Sequence, residues 1–326
     1  DRISPADSPR EVDLSGHGLA LQLRRSAHDR GGSIQIPVTE PGEQARTTAP
    51  NGTHLEYVTA ARDITVPPLE QALVISRIAE ADDFGVGRAG MGYRDLIPNR
   101  LGGRFIASHI RIEGGGEVPD YAHFHKIRFQ MIYCYRGWVR VVYEDQGEPF
   151  VLYAGDCVLQ PPEIRHRVLE SSPGLEVIEI GCPAEHDTFA DHDITLPTGV
   201  VAPERDFGGQ RFVRHVAADA VWVPWRMDGE FECRHIGIAD ATNGLAGVRV
   251  IRPRSEDAAT PMATHDAEFV LWFVLDGAAR IQLGDTNESL VEGDSVVIPA
   301  GTAHALTAMP GTQILEVTLP AAVPLR

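Results

Sequence analysis

Two stretches of this chain are written twice. The text AHFHKIRFQMIYCYRG at 122–137 returns as PMATHDAEFVLWFVLDG at 261–277, and AGDCVLQPPEIRHRV at 154–168 returns as EGDSVVIPAGTAHAL at 292–306. Gly137 then corresponds to Gly277, Gly155 to Gly293, Pro161 to Pro299 and His166 to His304. A repeat of about 140 residues implies two copies of one domain, and 326 residues are enough to give each copy its own core.

Both copies read as β. In the first, short runs rich in β-branched and aromatic residues at 105–112, 130–135, 138–144, 150–153, 157–160, 165–170 and 175–181 are separated by Gly, Pro and Asp. Such spacing predicts an antiparallel sandwich or barrel with little helix. Residues 1–55 show no clear period apart from LALQL at 19–23 and are read as an irregular arm without a function. The first barrel is placed at 56–197 and the second at 198–326. The acidic stretch 182–197, with His186 and His192, reads as a solvated connector.

Within the first copy His123 and His125 stand two residues apart, Gln130 follows five later, and His166 closes the second segment. Side chains alternate along a strand, so His123 and His125 share a face. Three imidazoles and one side-chain oxygen converging inside a small barrel suit a divalent first-row metal. The alternative, a hydrogen-bonded core cluster, leaves four polar groups in an apolar interior with nothing to bind, which is costly. Tyr121 shares the histidines' face and is a candidate hydrogen-bond donor or acid–base group, or else a packing tyrosine. Arg128, two before Gln130, points inward if the strand already runs there, and then clamps a carboxylate or phenolate. Otherwise it is a surface arginine at the strand mouth. Phe129, Met131, Tyr133 and Tyr135 take the opposite face and should pack on a neighbouring sheet or subunit, while Lys126 and Arg165 have the wrong parity for direct catalysis. His109, outside the motif, is read as structural or as a support behind the site residues.

The formal net charge of −17 disfavours nucleic acid or an anionic membrane as the main partner, and no apolar run is long enough for a membrane helix. Cys134, Cys157, Cys182 and Cys233 show no zinc-type spacing and are expected to be reduced and buried, which fits a cytoplasmic protein.

Both halves resemble the cupin superfamily, whose motifs run G-x5-H-x-H-x3-4-E-x6-G and G-x5-P-x-G-x2-H-x3-N. His123, His125, Gly137, Gly155, Pro161 and His166 fall on those positions. The resemblance implies an all-β fold of two jelly-roll barrels, a bicupin, with the metal held by His123, His125, Gln130 and His166. Glu117, Gln130, Glu163 and Glu170 depart from the pattern, standing at the leading Gly, the Glu, the second Gly and the final Asn. Gln for Glu is the chemically interesting exchange: a neutral ligand set leaves the ion's charge uncompensated and favours an anionic substrate. In the second copy Ala263 and Val270 replace ligands and leave His265 and His304, with Glu268 near enough in sequence to swing in. That copy is expected to serve as scaffold or dimer partner.

By this analogy the chain is expected to be a metal-dependent dioxygenase of the quercetin-cleaving kind, acting on a small anionic enol or phenol. Fe2+ is the expected ion, with Mn2+, Ni2+, Zn2+ or Cu2+ as alternatives. Two other readings stay open: an isomerase, epimerase or lyase acting on a sugar or keto acid, and a binding protein without turnover. A homodimer is expected from sheet-edge association.

Overall fold

The computed structural model of the protein describes residues 2–4, 10–16, 19–25, 33–38, 46–50, 52–59, 64–81, 84–86, 91–226, 229–256 and 258–326. The first barrel is built from two antiparallel sheets. One contains, in order, Phe150–Tyr153, Trp138–Tyr143, His166–Ser171, His123–Lys126 and Asp187–Ala190. The other runs Cys157–Leu159, Phe129–Arg136, Leu175–Cys182, Ile106–Ile112 and Gly92–Asp95. The second barrel repeats the plan. One of its sheets runs Phe231–His235, Gly247–Pro253, Gln313–Leu319, Phe269–Asp276 and Ser295–Val297, and the other is four-stranded. The all-β, two-barrel expectation holds.

The alternation of apolar residues decides which sheet faces what. On Phe129–Arg136, Gln130 and Ile132 face a cavity inside the first barrel, while Phe129, Met131, Tyr133 and Tyr135 join one apolar cluster with Phe269, Leu271, Phe273 and Leu275 of the second. The neighbouring sheet expected for these aromatics is therefore that of the other barrel. Phe105 stacks on Phe269 at 4.2 Å between ring centroids. His109 lies at the same interface, its Nε2 2.6 Å from Glu176 and its ring edge-on to Tyr135 and Phe273. It packs between the barrels and does not line the cavity.

Each barrel also takes a strand from the stretch assigned to the other. Val74–Ser76 pairs with Ser295–Val297, and Val213–His215 pairs with Cys157–Leu159. The repeated Gly-Asp fastens both straps. Asp294 accepts the Ile78 amide at 2.8 Å, and Asp156 accepts that of Ala217 at 2.8 Å. Boundaries at 56 and 198 thus do not follow the strand pairing at these two places. The repeated glycines mark a shared turn: Gly137 and Gly277 have φ of 72° and 74°, and a Cβ there would meet Ser172 Oγ at 2.3 Å or Thr312 Oγ1 at 2.8 Å.

The arm is more regular than its sequence suggests. Arg2–Ser4 adds to the edge strand Asp187–Ala190, and the hairpin Glu11–Gly16 and Leu19–Arg24 continues that sheet. Buried Arg2, paired with Glu11, Asp13 and Asp187, holds the layer. An extension fixed by ion pairs carries no apolar period to read. Among the described residues no helix is long and apolar enough to cross a membrane.

Burial holds the imidazoles of His109, His215, His265 and His304 below their ordinary pKa. A group depressed on folding is protonated first in the unfolded chain, so this stability is complete above about pH 6.5 and is lost as pH falls below it. Thermal midpoints should drop between pH 7.5 and pH 5.5. A flat or rising midpoint over that window would contradict this assignment.

Candidate metal centre

His123 and His125 sit on the strand His123–Lys126. His123 lies directly across from His166 on the next strand, and His125 across from Thr188 on the strand beyond. Period two and this register put three buried imidazoles at one place. Ring centroids are 4.2 Å apart for His123 and His166, and 5.2 Å for His125 with either. One ligating atom from each lies within 4.8 Å of the others.

The rings are held from behind. Nδ1 of His123 donates to the Tyr121 carbonyl at 2.8 Å, and Nδ1 of His166 to the Ile164 carbonyl at 3.0 Å. Because a carbonyl only accepts, the proton sits on Nδ1 and the Nε2 lone pair is left to ligate. Nδ1 of His125 is 2.9 Å from Thr188 Oγ1, a hydroxyl that can donate or accept, so this contact holds the orientation of the third ring without setting its tautomer.

Gln130 comes from the opposing sheet and is buried. Its Nε2 donates to Glu179 Oε1 at 2.6 Å, while its Oε1 is buried without a hydrogen-bond partner. An orphaned buried acceptor costs about 1–3 kcal/mol. Three imidazoles and an amide oxygen with nothing to accept from fit a divalent transition metal.

The cavity at this site has a volume of about 150 Å³. Its polar end carries the three histidines, Gln130, Gln160, Glu179 and His186, with Asp120 behind His123. Its walls are Ile106, Ile110, Ile132, Val139, Val141, Tyr143, Leu152 and Val177. Tyr143, wholly buried, stacks on His166 at 5.5 Å, and burial pushes its phenol far above the ordinary range.

Two candidate residues stand elsewhere. Arg128 precedes the strand that begins at Phe129, so strand parity does not extend to it. Its guanidinium pairs with Glu268 of the second barrel at 2.8 Å and does not line the cavity. Glu268, paired also with Arg104 at 2.7 Å, is thereby an inter-barrel ion pair and not a ligand held in reserve for the second barrel. Tyr121 precedes the strand starting at His123. Its ring is 5.9 Å from that of His123, it does not line the cavity, and it serves the site through its carbonyl. The arginine that does line the cavity is exposed Arg167.

The connector is corrected too. Asp187–Ala190 is a strand paired with His123–Lys126, and His186 is a buried wall residue whose ring is 5.2 Å from His125. Glu179 was also unread, although a signal exists: Glu316 holds the same register in the second copy. Glu179 lies across from Ile132, and Glu316 across from Trp272.

In the second barrel His265 and His304 remain, with ring centroids 5.5 Å apart. Trp272, at the position of Ile132, is buried in its interior and donates from Nε1 to Glu316 at 3.0 Å. Among the described residues the only group of three or more potential metal ligands is that of the first barrel. All four cysteines are free and buried, and burial raises the thiol pKa of Cys134 to about 12.

Comparison with known proteins bears on the fold. A family model described as "Cupin domain" matches residues 253–319, inside the second copy. That segment is matched as a cupin domain, and the first half of the chain repeats the same barrel plan. No curated protein matches the chain at a significant level. Among solved structures it is similar to a salicylate 1,2-dioxygenase from Pseudaminobacter salicylatoxidans, with a TM-score of 0.58 and 14% identity over 81% of this chain and 90% of that one. It is also similar to an oxalate decarboxylase from Bacillus subtilis, with a TM-score of 0.55 and 12% identity over 81% and 79% of the two chains. Protein Ylba from E. coli matches at a TM-score of 0.56 and 11% identity, over 81% and 96%. At these identities the likeness establishes the double-barrel fold. The matched copy is the one in which Ala263 and Val270 stand at the positions of His123 and Gln130.

Proposed function

We propose that this chain is a metal-dependent dioxygenase acting on a small anionic enol or phenol with an apolar body. The observation that carries the reading is the pairing of a set of neutral donors, His123, His125, His166 and Gln130, at the polar end of a cavity whose walls away from that end are mostly aliphatic or aromatic. A divalent metal held there supplies Lewis-acid polarisation of oxygen donors and, if redox-active, access to dioxygen.

The chain's own contributions follow from the walls. Ile132, Val139, Val141 and Leu152 exclude water and match a hydrocarbon body, while Tyr143 buttresses His166. Arg167 offers a cation to a substrate that enters as an anion. Sugar hydroxyls or a second carboxylate would find few partners on such walls. A lyase or isomerase that needs no dioxygen is the second reading, supported by the likeness to an oxalate decarboxylase.

Oxygen uptake by the metal-loaded protein, screened against catechols, enols and β-diketones, separates the two. Uptake matched to substrate loss is expected. Turnover that continues at the same rate under argon would sink the dioxygenase reading. A structural copy of the second barrel tests the cavity: Ile132→Trp places there the side chain that occupies the interior around Trp272. The variant should keep its metal and lose substrate affinity by about tenfold or more, the equivalent of ~1.4 kcal/mol or more. Unchanged affinity would remove this cavity as the substrate site.

A further inference from the structure

We propose that Gln130 and Glu179 act as one unit, in which the amide oxygen ligates and the carboxylate beside it fixes the amide's orientation. This rests on the metal centre proposed above and concerns how this chain builds it.

An amide has two chemically different ends, and only the oxygen can ligate a cation. A carboxylate only accepts, so Glu179 Oε1 at 2.6 Å compels the NH2 end of Gln130 to face it and turns Oε1 the other way. That oxygen is the one left buried and without a hydrogen-bond partner. Without Glu179 nothing in this contact distinguishes the two orientations, and one of them presents a donor to the ion.

The second barrel is an internal control. Glu316 stands at the same register as Glu179, across from Trp272 as Glu179 is across from Ile132. There the glutamate accepts from Trp272 Nε1, and Arg249, its cross-strand partner, pairs with it at 2.7 Å. In the first barrel Ser108 holds that cross-strand position and Gln130 replaces Val270. The same glutamate is thus part of a closed ion pair in the barrel without a ligand set, and is turned to a ligand's amide in the barrel with one.

The test is the affinity of the full chain for Co(II), measured by chelator competition and by the visible absorption of the bound ion. Four proteins are compared: wild type, Glu179→Gln, Gln130→Glu, and the exchange variant carrying both. Glu179→Gln is close in shape and should bind Co(II) about 10–100-fold more weakly, the usual cost of losing a group that orients a ligand. Gln130→Glu alone sets two carboxylates against each other and should also alter the spectrum. The exchange restores one carboxylate and one amide in contact, and should return affinity to within about threefold of wild type. A side chain needed only for folding would not be rescued by the exchange. Wild-type affinity in Glu179→Gln, or an exchange variant no tighter than either single variant, would overturn the proposal. A wild-type protein that binds no Co(II) would overturn the metal centre itself, and this proposal with it.

Discussion

Replacing His166 by Ala is expected to lower turnover on any substrate of the first barrel roughly 10³-fold or more, a loss of ~4 kcal/mol in transition-state stabilisation, and to leave the fold in place. His166 lies across from His123 and shares with it the shortest ring separation of the triad, 4.2 Å, so its removal opens one side of the ligand set. The structural cost is smaller. The ring's own hydrogen bond runs to the Ile164 carbonyl two residues back, which is worth about 1 kcal/mol. Kinetics of the variant alongside its thermal melt check both halves. Retained activity in a folded variant would exclude His166 from the site.

The second large effect concerns stability. Phe269→Ala removes a ring that is 1% exposed and stacked on Phe105 between the barrels, and should cost about 3–5 kcal/mol. Phe269 belongs to the second barrel, yet the loss should be felt in the first. The two share one apolar cluster, and each carries the other's strap, Val74–Ser76 and Val213–His215. In urea the variant should unfold in one transition at a lower midpoint, with Co(II) absorption from the first barrel lost in the same transition. Two separated transitions, the first-barrel signal keeping its wild-type midpoint, would contradict the coupling.

What could be read from the sequence was what repeats at short range. His123 and His125 share a face because strands alternate, and Gly137 with Gly277 sits where a turn needs positive φ. The aromatics opposite Gln130 were assigned to a packing face by the same parity, and that face is the barrel-barrel contact. Parity failed where the strand had not begun. Arg128 and Tyr121 lie one and two residues outside their strands, and neither side chain lines the cavity: that of Arg128 pairs with Glu268, and the ring of Tyr121 lies between those of His123 and His192, 5.9 Å from each.

Long-range pairing was not legible. Nothing local in Val74–Ser76 or Val213–His215 says that each completes the sheet of the other barrel. His186 was hidden in an acidic segment that looks solvated, but Asp187 pairs with Arg2 and Asp191 with Arg165, while the histidine faces the cavity. Glu179 was hidden for a different reason. A glutamate in a strand reads as solvent-facing, and only the cross-strand register with Ile132 turns it inward.

The claim on which the rest depends is that His123, His125, His166 and Gln130 share one ion. Elemental analysis of the purified chain against a His123→Ala, His125→Ala double variant measures it directly. About one transition-metal ion per wild-type chain is expected, and less than about a tenth of that in the variant, since two of four donors cannot hold the ion through purification. Equal metal in the two proteins, or none in either after loading with Fe2+, Mn2+ or Co2+, would contradict it.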